Sequence, residues 1–296
     1  SLHIYIKRIL YGKSYTNIIH TTMINMQNEY KKLLTDILSS GNEKPDRTGT
    51  GTKALFGKTI KHDMALGFPA LTSKKVSFNL ARTELLWILN GRTDLKYLED
   101  NGVKYWRPDY NRSGRVDETL GPVYGKQWRD FNGVDQLKTL VTNVIKDPSS
   151  RRLMVSAWAP HEMNDMVLPP CHYAFQIFIN KGALSLLWMQ RSADVFLGLP
   201  YDIIMYGLLL ELLAKGANLK PGQLIGQLGD CHLYNNHTEQ AQEFLTRKNR
   251  KLPTLQLNNG INMTNFNELY IPNMTEIKLN NYNPYPAIKA ELSVGK

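Results

Sequence analysis

Residues 169–215 read PPCHYAFQIFINKGALSLLWMQRSADVFLGLPYDIIMYGLLLELLAK, and their pattern decides the fold class. Two runs of strand length, 172–179 and 183–190, precede a long apolar stretch at 201–215 that reads as a central helix. Upstream, Tyr30, Leu33, Leu34, Ile37 and Leu38 recur at helical spacing within 28–38. Further helices are predicted over 80–89, with Gly91 near its end, and over 134–146. Strands are expected at 153–158, 254–257 and 285–292. No repeat, heptad array or Gly/Ser/Pro linker divides the chain, so the reading is one α+β domain.

The 296 residues are 42% hydrophobic and 21% charged, which excludes a disordered or fibrous chain. A chain this long buries roughly three quarters of its unfolded surface and needs no covalent staples. Two cysteines, Cys171 and Cys231, cannot make a disulfide framework, and with no recognisable secretion signal they point to a reducing, cytoplasmic setting. The apolar region 196–213 is interrupted by Asp202 and Glu211 and falls short of a membrane span. Residues 1–25 contain basic residues and no acid; they read as an extension, dispensable over 1–22, before a single domain at 26–296. The net charge of +10 suits an anionic partner, whether nucleotide phosphate, polyanionic cofactor or nucleic acid.

Several side chains could carry chemistry. Cys171 follows two prolines, whose fixed backbone can present a nucleophile, although a buried structural cysteine is the commoner fate of this residue. A thiolate needs nearby cations, and Arg47, Arg151-Arg152 and Arg191 supply them. Guanidinium groups also match phosphate oxygens, and Arg151-Arg152 and Gln190-Arg191-Ser192 flank predicted strands, where ligand sites are common. Glu84 shares an apolar helix face with Leu80 and Ile88, so its carboxylate is either buried and less acidic or reaches water from a packed stem. Asp202 poses the same choice, with helix capping as a third option. Cys231-His232 offers too few ligands for zinc, and no metal site is expected.

Seven motifs then occur in order: Asp46-Arg-Thr-Gly-Thr-Gly-Thr52, Glu84-Leu-Leu-Trp87, Gly121-Pro-Val-Tyr-Gly-Lys-Gln-Trp-Arg129, Ser150-Arg-Arg152, Pro169-Pro-Cys-His172, residues 190–200 and Gly229-Asp-Cys-His-Leu-Tyr234. From about residue 26 to 294 the chain resembles the thymidylate synthase family. The resemblance implies a large mixed β-sheet with flanking helices, a homodimer packed through its sheets, and 5,10-methylenetetrahydrofolate as the donor of a one-carbon unit to pyrimidine C5. It implies that Cys171 attacks C6, Glu84 moves protons through ordered water and Tyr124 assists removal of the C5 proton. It places Arg47, Arg191 and Ser192 on the nucleotide phosphate, with Arg151 and Arg152 reaching in from the second subunit. Gln190 and Asp202 belong to the nucleotide site, and His232 and Tyr234 to the deoxyribose hydroxyl. Trp106, Leu168, Asp194, Leu197, Gly198 and Tyr201 would line the folate site, with Lys74 meeting the glutamate tail. No membrane or nucleic-acid partner is implied.

The chain departs from the family at Asp202, where thymidylate synthases carry asparagine. An amide both donates and accepts and so satisfies uracil, whereas a carboxylate only accepts. Family relatives acting on deoxycytidylate carry aspartate at this position, and dCMP is therefore the expected substrate, with dUMP the alternative. Trp106 and Leu168 match residues that exclude water and favour a methyl product. Asp202 and the divergent Arg107-Pro108-Asp109-Tyr110 favour hydroxymethyl. At the C-terminus, Gly295-Lys296 extend past the apolar tail that closes the site in the family.

Overall fold

The computed structural model describes residues 23–260 and 273–293. The proposed extension at 1–22 and the terminal Gly295-Lys296 lie outside these residues. Helix α1 (Met26–Ser40) starts where the Asn25 side chain accepts from Gln27 N–H, and it buries Met26, Tyr30, Leu33, Leu34 and Ile37. Strands β1 (Asn42–Lys44) and β2 (Thr52–Asp63) follow, then α2 (Phe78–Leu89), α3 (Leu95–Asp100), α4 (Arg107–Ser113), α5 (Gly125–Arg129) and α6 (Gln136–Lys146). The chain continues through β3 (Met154–Ser156), β4 (His172–Asn180), β5 (Ala183–Asp194), α7 (Leu199–Gly216), β6 (Lys220–Tyr234) and α8 (Thr238–Thr246). A separate two-stranded ladder pairs β7 (Thr254–Leu257) with β8 (Ile277–Asn280).

The main sheet has the order β1-β2-β6-β5-β4-β3, with β5 and β6 parallel and the other pairs antiparallel, as a mixed sheet requires. The α7 helix supplies the crossover between the two parallel strands and packs on both of them and on α2. It is buried on nearly every side, which explains its largely apolar sequence. Gly226 of β6 pairs with Trp188 of β5, and a Cβ there would lie 2.5 Å from the indole. The missing side chain lets Trp188 lie across the sheet and stack on Tyr206 of α7, centroids 5.3 Å apart.

Two long strands, β2 and β6, are absent from the sequence reading. Gly57, Gly222, Gly226 and Gly229 interrupt their alternation, and Lys58 and Lys61 interleave their apolar positions. The strand expected at 285–292 does not form. Pro284 and Pro286 lack ladder donors, and the segment runs as an extended tail held by Tyr285 N–H on the Thr72 carbonyl and by Tyr282 Oη on the Leu71 carbonyl.

Candidate active site

Cys171 sits at the entrance to β4, and its surroundings fix its backbone before its sulphur. Its N–H donates to Tyr124 Oη at 3.0 Å, and its carbonyl accepts from Arg191 N–H at 2.8 Å. The Arg191 guanidinium donates to the carbonyls of Pro170 and Pro169, each at 2.9 Å, so a strand-borne cation wraps the Pro-Pro turn beside the thiol. Burial pushes the Cys171 thiol up to about 11; Arg191 pulls it down, while Asp202, Asp109 and Asp194 push with the burial. Of the four arginines expected to populate a thiolate, Arg191 is the one acting on this sulphur, and desolvation outweighs it.

Tyr124 adopts φ 27°, ψ −81°, a left-handed backbone that costs a β-carbon residue about 1–3 kcal/mol. The preceding Gly121, at φ 77°, has no room for a Cβ, which would meet the Asp165 carbonyl oxygen at 2.0 Å. The ring of Tyr124 stacks on His172, centroids 4.3 Å apart, and His172 Nδ1 shares a hydrogen bond with Tyr206 Oη at 2.9 Å. A column Tyr124–His172–Tyr206–Trp188 thus links the turn to the buried centre of the sheet. Burial lowers His172 to about 3, so its imidazole is neutral.

Asp202 lies in the first turn of α7, and its side chain makes no capping bond. It accepts instead from Gln190 Nε2 at 2.8 Å. The Gln190 amide has one permitted orientation, because its Oε1 accepts at 3.0 Å from the Trp188 indole, which can only donate. Residues 188 and 190 share one face of β5, and the strand aims an N–H at Asp202 Oδ2. Burial raises Asp202 to about 7, opposed by the Gln190 bond and reinforced by Glu84 and Asp194. The nearby His172 Nε2, 3.9 Å from Oδ1, is uncharged and brings no compensating cation.

Glu84 projects from α2 into this group. Tyr105 Oη donates to its Oε2 at 2.5 Å and Trp106 Nε1 to its Oε1 at 2.8 Å. Burial makes Glu84 less acidic and the two donors partly restore it. Trp106 stands 6.3 Å from the Tyr124 ring, and Tyr105 stands 6.2 Å from Tyr201 of α7. The partly exposed Tyr105, Trp106 and Tyr201 rings, with the buried Tyr124, thus put aromatic surface next to the Glu84 carboxylate. Asp194 accepts from Phe196 and Leu197 N–H, each at 3.1 Å, which shapes the turn into Gly198 and α7.

The remaining expected residues divide. Arg47 rides on a turn built by the Asp46 carboxylate, which accepts from Thr48 and Gly51 N–H at 2.8 and 2.7 Å. Its guanidinium lies 3.9 Å from Asp109 Oδ1, a residue that Arg112 also pairs. His232 and Tyr234 are ring neighbours 5.3 Å apart on β6, where His232 is in register with Asp194, and Ser192 with Asp230. Arg151 and Arg152 are exposed just before edge strand β3, and no contact to Cys171, Gln190 or Asp202 comes from them among the described residues. Lys74 is turned inward. Its ammonium is buried, donates to the Phe196 carbonyl and lies 3.8 Å from that ring, so it is committed inward and does not reach out to an anionic tail. Burial lowers it to about 8. The sequence reading missed Tyr105 altogether, and named Asp109 only as part of a divergent stretch.

Residues 28–294 match the family model described as thymidylate synthase. A thymidylate synthase of Mycoplasma mobile is 42% identical over 292 residues, an alignment covering 90% of this chain and 99% of that protein. Members of that family draw their one-carbon unit from 5,10-methylenetetrahydrofolate. The chain therefore belongs to the thymidylate synthase family.

Proposed function

We propose that this enzyme transfers a one-carbon unit to C5 of dCMP, giving 5-hydroxymethyl- or 5-methyl-dCMP. The observation that carries the substrate assignment is Asp202, a carboxyl raised to about 7 whose Oδ2 is held by a fixed Gln190 N–H. Cytosine offers an N4 donor and an N3 acceptor. When Asp202 holds its proton, that O–H donates to N3 while the other carboxyl oxygen accepts from N4. Both ends of the base edge are then satisfied. Uracil offers O4 and N3–H, so an ionised Asp202 would face an acceptor, a mismatch that costs on the order of 10⁴-fold in discrimination. The same elevation supports a second reading. Protonated Asp202 could donate to O4 and accept from N3–H, as an asparagine would, and the Mycoplasma mobile relative bears the name thymidylate synthase.

In this mechanism Sγ of Cys171 bonds to C6 as its proton leaves, and the C5–C6 electron pair moves onto C5 with density shared at N3. A proton from Asp202 at N3 stabilises that charge as it develops. Arg191 holds the thiolate and, with Arg47 and Ser192, the phosphate. His232 and Tyr234 bind the sugar hydroxyl. When bound, the folate would supply the one-carbon unit and, for a methyl product, the hydride that completes it, with water completing a hydroxymethyl product; Trp106, Leu168, Asp194, Leu197, Gly198 and Tyr201 would hold it. Tyr124 assists loss of the C5 proton, Glu84 carries protons, and return of the C6–S electrons to sulphur frees Cys171.

The protein acts as a homodimer in this reading, in the reducing interior of its cell. Support comes from large apolar side chains left open on and beside the sheet: Phe56 is 87% and Phe178 65% exposed, with Met154 and Trp158 also open. A dimer through this face would bring Arg151 and Arg152 to the partner's phosphate. No helix among the described residues is long and apolar enough to cross a membrane.

The test is a competition. Equal dCMP and dUMP are incubated with the protein and 5,10-methylenetetrahydrofolate, and the nucleotides are weighed by mass spectrometry. A gain on dCMP alone supports the proposal, and its size tells hydroxymethyl from methyl. Methylation of dUMP alone establishes the second reading. A monomer in sedimentation at micromolar concentration removes the dimer.

A further inference from the structure

Tyr105 and Trp106 are consecutive residues, and between them they grip both oxygens of Glu84. The two donors are unequal. The Trp106 indole can only donate, so its bond to Oε1 is the same whichever charge Glu84 carries. The Tyr105 hydroxyl donates to Oε2 at 2.5 Å and also has lone pairs with which to accept. Oε2 is therefore the oxygen that can gain a proton and still keep a hydrogen-bond partner.

We propose that Tyr105 is a positioning residue for the proton transfers of Glu84: it holds Oε2 while the carboxylate is ionised and turns its hydroxyl to accept when Oε2 takes a proton. The proposal rests on the role given to Glu84 above. In the ionised state the phenol O–H and the indole N–H replace the water that burial removes. In the protonated state the new Oε2–H donates to Tyr105 Oη and the phenol hydrogen swings away, so no heavy atom has to move. The proton goes to and from substrate or water, and Tyr105 remains a neutral phenol throughout, since burial and the facing Glu84 hold its own titration well above the usual range. Tyr105, Tyr124 and Tyr201 and the carboxyl of Asp202 are the titratable groups facing Glu84, from the 105–106 segment, the Tyr124 turn and α7; no cation among the described groups offsets them.

Removing the hydroxyl in Tyr105→Phe keeps the ring and takes away one of two donors to a charged oxygen, so Glu84 becomes less acidic by about one pH unit. Two titrations on the full chain read this out: that of Glu84 itself, as the carbonyl stretch missing from Glu84→Gln, and the acidic limb of kcat with dCMP and cofactor. Both move to higher pH together in Tyr105→Phe, with kcat falling about tenfold at the acid end and little at the alkaline end. Placing 3-fluorotyrosine at 105, a stronger donor of nearly the same shape, moves both to lower pH and covers the case of a phenylalanine variant that does not fold. An unmoved Glu84 titration in either protein, or a kcat loss equal at every pH, overturns the proposal. A moved titration in a chain that converts neither dCMP nor dUMP supports the hold on Glu84 and overturns the proposed activity instead.

Discussion

The two halves of the candidate site are built differently. Cys171, Gln190 and Arg191 stand on or beside the adjacent strands β4 and β5, tied to Trp188, Tyr206 and His172 by buried hydrogen bonds and stacked rings. Trp106, Tyr105 and Asp109 stand on a loop and a seven-residue helix held largely by ion pairs at the surface: Arg107 with Glu99 and Glu118, Arg112 with Asp109, and Arg115 with Asp117. Buried networks with every partner present fix geometry, whereas exposed ion pairs contribute little and weaken with salt. The proposed nucleophile and the proposed base-reading carboxyl therefore occupy the stiff half. Tyr105, which bonds Glu84, and Asp109, which pairs Arg47, occupy the softer one, where the sequence also departs from the family.

Breaking the stiff half has the largest effect. Cys171→Ser removes the nucleophile while keeping its volume, and turnover falls by roughly 10⁴-fold or more. Mass spectrometry of the protein mixed with nucleotide shows no covalent adduct in the variant. Residual turnover within about tenfold of wild type would mean that Cys171 serves structure, the commoner fate of a half-buried cysteine.

Asp202→Asn comes next and tests the stiff half from the other side. Turnover shifts from dCMP to dUMP, with the ratio of their kcat/KM values changing by about 10³- to 10⁴-fold. A pH effect follows from the same carboxyl. Its titration is raised from 3.8 to about 7 on folding, so over that window the folded chain holds a proton that the unfolded chain has released. Stability from this group is complete below about 4 and is lost as pH rises through about 7. The asparagine variant therefore gains in Tm relative to wild type at pH 8 and not at pH 4. Equal differences at both pH values would show that Asp202 is ionised in the folded protein, and the shared proton at N3 would go with it.

Local features were legible in the sequence. Pro-Pro before Cys171, paired arginines before a strand and a carboxylate on an apolar helix face are each visible within a few residues. The apolar periodicity also located α1, α2, α6 and α7 to within a turn. What it missed is long-range. The Trp188–Gln190–Asp202 chain needs β5 packed against the start of α7, and sequence spacing hints only at its first link, two residues on one strand face. Tyr105 showed nothing, because a tyrosine beside a tryptophan reads as packing until Glu84 arrives from 21 residues upstream. Desolvation was underestimated at Cys171 and at Lys74, since counting cations along a chain says nothing of how much water each one keeps.

The smallest effect belongs to the soft half and concerns Asp109. Its carboxylate stands 3.9 Å from the Arg47 guanidinium, which is more than half exposed. If Arg47 binds phosphate, the incoming dianion and Asp109 compete for one cation, and Asp109 also repels the phosphate. Asp109→Asn removes both costs and leaves the amide free to hydrogen-bond Arg112. Because the pair is solvent-screened, nucleotide binds only about two- to fivefold more tightly, and the gain shrinks as salt is raised. Calorimetric titration of dCMP into both proteins at low and high ionic strength measures it. A gain that survives high salt would place Arg47 and Asp109 in a drier setting than their exposure indicates, and the soft half would then be stiffer than its ion pairs suggest. Weaker binding in the variant would show that Asp109 orients Arg47 for the phosphate, making the carboxylate part of the nucleotide site and not its competitor.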